Sequence, residues 1–141
     1  PVVHLPRHPV ALAAFGLRAL PSAEALARLA LRDPGAAFPA QGYAAHYCSL
    51  PRTTDPDLVG CSMILSGLRL FDIRDVEHPR EVAYFNRPLI PGTKLELPTL
   101  GGAYAMSAPA YDVRRGEVWY TDANTGFYVV KLTDGVARLL R

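Results

Sequence analysis

Hydrophobic and polar residues alternate in short runs over the C-terminal two-thirds of the chain, a pattern typical of β-strands. From Ala44 onward, four such runs follow one another, and residues that favour turns separate them. The runs predict four antiparallel strands, at His46–Leu50, Leu58–Leu65, Leu68–Ile73 and Glu81–Phe85. Residues 44–86 are therefore expected to form one small antiparallel sheet.

The same pattern returns nearer the C-terminus and predicts a second sheet over residues 103–141. Glycines in the two reversals at 113–117 and 124–126 suit tight hairpin turns. The expected strands are Ala105–Tyr111, Glu117–Thr121, Phe127–Leu132 and Val136–Leu140. A loop rich in proline and glycine, residues 87–102, joins the two units.

The two units share a repeated segment. Gly67-Leu-Arg-Leu-Phe-Asp-Ile-Arg-Asp75 returns 59 positions later as Gly126-Phe-Tyr-Val-Val-Lys-Leu-Thr-Asp134. Glycine and aspartate recur at the two ends, and apolar residues recur at four inner positions, namely Leu68/Phe127, Leu70/Val129, Phe71/Val130 and Ile73/Leu132. A repeat of this length predicts an array of small β-units, such as the blades of a β-propeller.

Residues 1–43 differ from the rest of the chain, because they are rich in Ala, Leu, Arg and Pro and do not alternate. Ser22 is a suitable N-cap for a helix over Ala23–Arg32, and Pro34-Gly35 would end it. We predict a connector with one short helix packed against the β-domain. The fold class is thus all-β, with two four-stranded antiparallel blades behind an N-terminal connector.

Composition excludes several classes of partner. Half of the residues are hydrophobic and 20% are charged, which is typical of a globular protein. The net charge of +2 and the absence of Lys or Arg runs argue against nucleic acid as a partner. No segment approaches the roughly 18–20 uncharged apolar residues that a membrane span requires.

No motif in the chain identifies a reaction, so we predict no catalytic, cofactor-binding or metal-binding residue. Ser107 lies in no Gly-x-Ser-x-Gly elbow, and no phosphate loop is present. Asp72, Asp75, Asp122 and Asp134 recur at turns, where aspartate usually accepts hydrogen bonds from backbone amides. Calcium binding or acid–base catalysis would require several of these carboxylates to converge.

Two cysteines, Cys48 and Cys61, fall on the first two predicted strands. If that hairpin turns through residues 52–57, the two side chains face each other at a separation that a disulfide spans. We predict this disulfide, which would contribute about 3 kcal/mol by chain entropy. A pair of buried free thiols remains the alternative. Trp119 and Phe127, with their neighbours Tyr120 and Tyr128, are interpreted as packing residues, and Tyr128 is the one expected to be exposed. An aromatic ligand platform is the alternative.

Two segments carry a resemblance to a known family. SGLRLFDIRDVEHPREVAYF (66–85) and VWYTDANTGFYVVKLTDG (118–135) resemble the repeats of LVIVD-type β-propeller proteins. The first unit departs from the repeat at Cys61-Ser-Met63, and the second has Lys131 in place of an expected aspartate. The resemblance covers residues 44–141.

The resemblance implies an extracellular or cell-surface protein, and a non-catalytic interaction or scaffold domain. Two blades do not close a ring of about 4–8. The chain is therefore expected to be the C-terminal part of a larger propeller, whose partners are the remaining blades, another copy of itself, and a protein or small-molecule ligand. His46, on an innermost strand, is then a channel-facing ligand contact, although a structural role is favoured. The alternative function is an enzyme whose active site at the central channel is completed by the missing blades.

Overall fold

A computed structural model describes residues 45–87, 92, 94 and 104–141, and these residues are mostly β-structure. The predicted connector 1–43 with its helix lies outside the described residues, as does the loop 87–102 apart from Arg87, Gly92 and Lys94. Within these residues, seven strands form two antiparallel sheets, and one short helix follows them. In chain order the elements are β1 Tyr47–Ser49, β2 Leu58–Ser62, β3 Leu68–Asp72, β4 Arg80–Phe85, β5 Ala110–Asp112, β6 Glu117–Asp122, β7 Gly126–Lys131 and α1 Asp134–Arg138.

The first sheet has the four strands that the sequence predicts, in the order β1-β2-β3-β4. The strand predicted over Leu58–Leu65 ends earlier, at Ser62, because the chain turns there. Ile64 has a left-handed backbone with φ of 49°, and Gly67 closes the turn with φ of 71°. The Met63 amide donates to the Gly67 carbonyl across this reversal.

In the part of the chain that the structure describes, the second sheet has three strands rather than the predicted four. The strand predicted over Val136–Leu140 is wrong, since helix α1 and a turn occupy that segment. Val136, Leu139 and Leu140 are spaced i, i+3, i+4, which is the spacing of one helix face. Packing all three against the core therefore favours a helical turn, in which Leu139 and Leu140 are buried and Val136 is partly buried.

The first strand of the second sheet is also shorter than predicted. Of the predicted Ala105–Tyr111, only Ala110 and Tyr111 pair continuously with β6, and the pairing continues to Asp112. Pro109 has no backbone N–H, so it cannot donate to a ladder. Ala105 instead forms two single bridges, to Ile64 of the first unit and to Asp122 of the second. This segment thus links the two sheets.

The hairpin β2–β3 of the first sheet and the hairpin β6–β7 of the second have the same strand register. Val59 lies opposite Phe71 in the first sheet, and Val118 lies opposite Val130 in the second. Each of the five residue pairs between β2 and β3 has its counterpart between β6 and β7 when 59 is added to both numbers. The turn glycines also correspond, since Gly126 has a φ of 104°.

The two sheets pack face to face around one hydrophobic core. It is formed by buried side chains from β2 and β3, from β6 and the residue after β7, and from the C-terminal turn, namely Leu58, Leu68, Leu70, Val118, Tyr120, Leu132, Leu139 and Leu140. A second buried cluster lies on the other side of the first sheet and contains Val59, Cys61, Met63, Phe71 and Ile73. Strands β2 and β3 at the centre of the first sheet are therefore buried on both faces.

The two sheets are stacked so that the face of one that carries Leu68 and Leu70 and the equivalent face of the other point in the same direction. Leu68 and Leu70 of β3 point toward the second sheet and belong to the shared core. Their counterparts 59 positions later, Phe127 and Val129, alternate with core-packed residues of β7 and are exposed on the far side of the second sheet. Corresponding faces therefore point in one direction, as in a head-to-tail stack.

Candidate functional site

An apolar surface lies on the far side of the second sheet. Trp119, Phe127 and Val129 form it, and we call these three residues the open face; they are 37%, 58% and 51% exposed, respectively. Trp119 lies directly opposite Val129 across β6 and β7. The Trp119 and Phe127 rings meet edge to face, with centroids 6.0 Å apart. The three side chains therefore form one contiguous patch.

Polar groups fix the indole of Trp119 at the rim of the open face. Its Nε1 donates to the Glu117 carboxylate at 3.1 Å, and Arg115 pairs with the same carboxylate at 3.3 Å. The ring is thus oriented by the sheet itself. Contiguous exposed apolar patches are uncommon on the surfaces of isolated domains and usually mark sites of interaction.

Strand β7 is an edge strand within the described residues, where it pairs only with β6. The Leu132 amide donates to the Gly116 carbonyl. In an antiparallel ladder, the backbone groups of every second residue point toward the partner strand, so Leu132, Val130 and Tyr128 point toward β6. Consequently the backbone N–H and C=O groups of Phe127, Val129 and Lys131 point away from β6. We call these groups the free edge.

A cavity of ≈ 130 Å³ lies beside the free edge, between the two sheets. Its walls are largely apolar and come from β3 and β4 on one side and from β7 and α1 on the other; they include Leu70, Ala83, Phe85, Val130, Leu132 and Val136. The missing fourth strand of the second sheet would lie next to this space. The free edge and the cavity thus lie side by side, and Lys131 belongs to both.

His46 precedes β1 and is exposed. Its Nδ1 donates to the Met106 carbonyl at 3.0 Å, so the ring ties the first sheet to the segment before β5. The ring also meets Tyr47 edge to face, with centroids 4.6 Å apart. This hydrogen bond gives His46 a structural role, and contact with a ligand in a channel stays a prediction.

The acidic residues at the turns accept hydrogen bonds from nearby backbone amides. Asp72 accepts from the Arg74 amide at 3.1 Å, and Asp122 accepts from the amides of Asn124 and Thr125, both at 2.9 Å. The Arg74 guanidinium also bonds the Asp72 carboxylate at 2.7 Å. That hydrogen bond holds the pKa of Asp72 below its ordinary value, although burial acts in the opposite direction.

Asp75 behaves in the same way at the next turn, where it accepts from the Glu77 amide at 3.1 Å. Its other oxygen lies 3.0 Å from His78 Nδ1, and this contact lowers the pKa of Asp75. Among the described residues, no three His, Cys, Asp or Glu side chains cluster closely enough to hold a metal ion. Each of these carboxylates therefore stabilises its own turn.

Ser107 also has structural partners. Its hydroxyl accepts from the Thr121 amide at 2.7 Å and donates to the Thr121 carbonyl at 3.3 Å. Its own carbonyl accepts from Ser62 at 2.5 Å. The residue thus joins β2, β6 and the segment between the sheets, and the hydroxyl is engaged twice by backbone.

Cys48 and Cys61 lie opposite each other on β1 and β2 and form a disulfide, the pairing that the hairpin predicts. Cys61 is buried and Cys48 is exposed. The bond anchors the short strand β1 to the middle of the first sheet.

No helix within the described residues has the length and hydropathy to cross a membrane.

Tyr111 fastens the second sheet to the first. Its hydroxyl donates to the Ser49 carbonyl at 2.9 Å and lies directly over Gly60 of β2. Burial raises the pKa of Tyr111 to about 12. The close approach depends on the absence of a side chain at Gly60.

No protein-family model matches the chain, and no curated protein matches it either. The site is therefore described by its geometry alone. Sequence reasoning did not find the open face, because it interpreted Trp119 and Phe127 as packing residues and expected exposure at Tyr128. The structure has Tyr128 half-buried against Phe85 and Tyr120. Strands β6 and β7 are apolar on both faces, so alternation does not reveal which face is outside.

Proposed function

We propose that this protein is an exported, non-catalytic interaction or scaffold domain, and that it forms part of a larger LVIVD-like β-propeller. The observation that carries the proposal is the head-to-tail stack of two hairpins with one register. Propellers and related repeat folds are built from small sheets that each pack on the next in a constant sense. The open face is the surface on which a further sheet would pack.

The equivalence of the two sheets supports this use of the open face. In the first sheet, Leu68 and Leu70 are buried because the second sheet covers them. In the second sheet their counterparts Phe127 and Val129 are apolar as well, yet they are exposed. When the front face of each sheet packs on the back face of the next, every added sheet exposes a new face. Such a stack ends only when it closes into a ring or when another element covers its last sheet. The exposed end of the stack therefore favours a partner of β-structure.

The polar side chains support a non-catalytic role through the bonds that they make. His46, Ser107, Asp72 and Asp122 each bond backbone groups that hold turns or join the sheets. A nucleophile needs an adjacent base, and a general base needs access to a substrate proton. The hydroxyl of Ser107 is committed to Thr121 instead. Export is supported by the disulfide, since such bonds persist in oxidising compartments.

The proposal is tested by the association state of the purified chain. We expect light scattering to show species larger than 15.3 kDa, because the open face pairs with another apolar surface when no further sheet covers it. Phe127→Ser should shift the population toward the monomer. The matched control is Tyr47→Ser, which removes a comparably exposed aromatic side chain from the first sheet, 54% against 58%.

Two results would contradict the proposal. Association that responds equally to both serine variants would remove the special role of the open face. Turnover in a screen of esterase, lactonase, phosphatase and quinone-linked dehydrogenase substrates, abolished by His46→Ala or Ser107→Ala, would instead support the alternative of a propeller enzyme.

A further inference from the structure

The first sheet shows what completes the free edge of the second. The counterparts of Phe127 and Val129 in β3 are Leu68 and Leu70, and these pair with Phe85 and Ala83 of β4. The fourth strand thus lies along β3 in antiparallel orientation. In the second sheet, the described residues place no strand along β7, although its register with β6 is the same.

The cavity beside β7 provides room for side chains of an added strand. Side chains on an added strand would alternate between the open face and the inner side on which Val130 lies. Those on the inner side would enter the cavity of ≈ 130 Å³. An apolar cavity of about 150 Å³ holds a group the size of benzene. One branched apolar side chain therefore suits the space, and a charged side chain does not.

We propose that the free edge of β7 binds an extended peptide strand in antiparallel orientation, with a branched apolar or aromatic side chain seated in the adjacent cavity. Main-chain hydrogen bonds to Phe127, Val129 and Lys131 supply affinity, and the cavity selects the side chain. This division of roles is the usual one when a strand is added to a sheet edge. The site is distinct from the open face, which contacts the side chains of a covering sheet.

The probe is a fluorescent synthetic peptide that copies residues 79–87 of this chain, Pro-Arg-Glu-Val-Ala-Tyr-Phe-Asn-Arg, because this segment forms the corresponding strand of the first sheet. We expect saturable binding by fluorescence anisotropy. We also expect slower hydrogen exchange at the amides of Phe127, Val129 and Lys131. Absence of saturable binding, or binding without protection of these three amides, would overturn the proposal.

Two variants separate the edge from the cavity. Val129→Pro removes an N–H that points away from β6, a position where an edge strand tolerates proline. Val136→Phe fills the cavity and leaves the edge unchanged. Each should weaken binding at least tenfold. Because Val136→Phe does not alter β7, it keeps the test valid if Val129→Pro fails to fold.

Trp119→Ser is the matched control, since it changes the open face without touching the free edge. Peptide affinity should stay within twofold of the wild type in this variant. Loss of affinity in Trp119→Ser with retention in Val136→Phe would place the peptide on the open face and overturn the proposal. The self-association test of the proposed function has a separate outcome, because it depends on Phe127→Ser and needs no peptide.

Discussion

Gly60→Ala should weaken the contact between the two sheets. Gly60 faces the second sheet, and a methyl group there would overlap the Tyr111 hydroxyl oxygen and approach Leu70 Cδ2 to 3.0 Å. The Tyr111 ring is held in place because its hydroxyl donates to the Ser49 carbonyl. The ring therefore cannot retreat without losing that hydrogen bond.

The expected cost follows from three opposing contributions. Overpacking a core contact costs about 1–3 kcal/mol, and loss of the Tyr111 hydrogen bond costs about 1 kcal/mol. Replacing glycine by alanine restricts the unfolded chain and returns about 0.4–1 kcal/mol. Gly60→Ala should therefore lower the free energy of unfolding by about 2 kcal/mol, measured by urea denaturation.

A double-mutant cycle with Tyr111→Phe tests whether the hydroxyl causes this loss. Tyr111→Phe alone should cost about 1 kcal/mol, because the Ser49 carbonyl loses its donor. In the double variant the new methyl group occupies the space of the missing hydroxyl, and the nearest ring carbon lies at an ordinary 3.4 Å. The combined loss should then be about 1–2 kcal/mol smaller than the sum. Additivity within about 0.5 kcal/mol would refute the assigned contact.

Three further predictions concern the turns, the disulfide and acid stability. Gly126→Ala should cost about 1–2 kcal/mol through its positive φ alone, whereas Gly67→Ala should cost at least about 1 kcal/mol more, because its methyl group would overlap a backbone carbonyl; equal losses in urea melts would contradict this difference. Cys48→Ser should lower the free energy of unfolding by about 3 kcal/mol, and a reductant should shift the wild-type midpoint to that of the variant. Since its pKa is lowered in the folded state, Asp72 contributes stability that is full above its ordinary pKa of 3.8 and is lost as the pH falls further. Asp72→Asn should flatten the decline below about pH 4, and an unchanged slope would exclude the Asp72–Arg74 pair as its source.

The central strands could be predicted from sequence because each carries strong local signals. Strands β2, β3, β6 and β7 are rich in branched and aromatic residues, and turn-forming residues bound them. The disulfide could be predicted for a related reason, since hairpin geometry alone brings Cys48 opposite Cys61. Signals of this kind act within one hairpin and do not depend on the rest of the fold.

The last segment could not be predicted in the same way, because its structure depends on the space between the sheets. Val136-Ala137 repeats the Val82-Ala83 pair of β4 in the first unit, and this similarity favours a strand. In the structure, Leu139 and Leu140 are buried in the core and Val136 packs against it from the same side of the C-terminal turns. Tertiary packing thus outweighed the local similarity of the repeat. The free edge of β7 is a direct result, because the residues that would have paired with it form α1.

The open face was missed because exposure is a property of the stack. A strand that is apolar on both faces is typical of a sheet covered on both sides, and β2 and β3 of the first sheet are buried in this way. In the second sheet the same pattern leaves one apolar side exposed among the described residues. The sequence of β6 and β7 therefore matches a more fully covered position than the one that they occupy here.

Gly60 in β2 and Trp119 in β6 occupy equivalent positions of the two sheets. This difference limits the side chains that a sheet covering the open face could carry. Gly60 admits the Tyr111 hydroxyl, because glycine itself places no side chain there. At Trp119 the indole fills the corresponding space and is fixed there by Glu117. Face-packed sheets lie about 10 Å apart, so a large side chain on one sheet requires a small one opposite it. A sheet that packs on Trp119 must therefore carry a small residue at the position where the second sheet carries Tyr111.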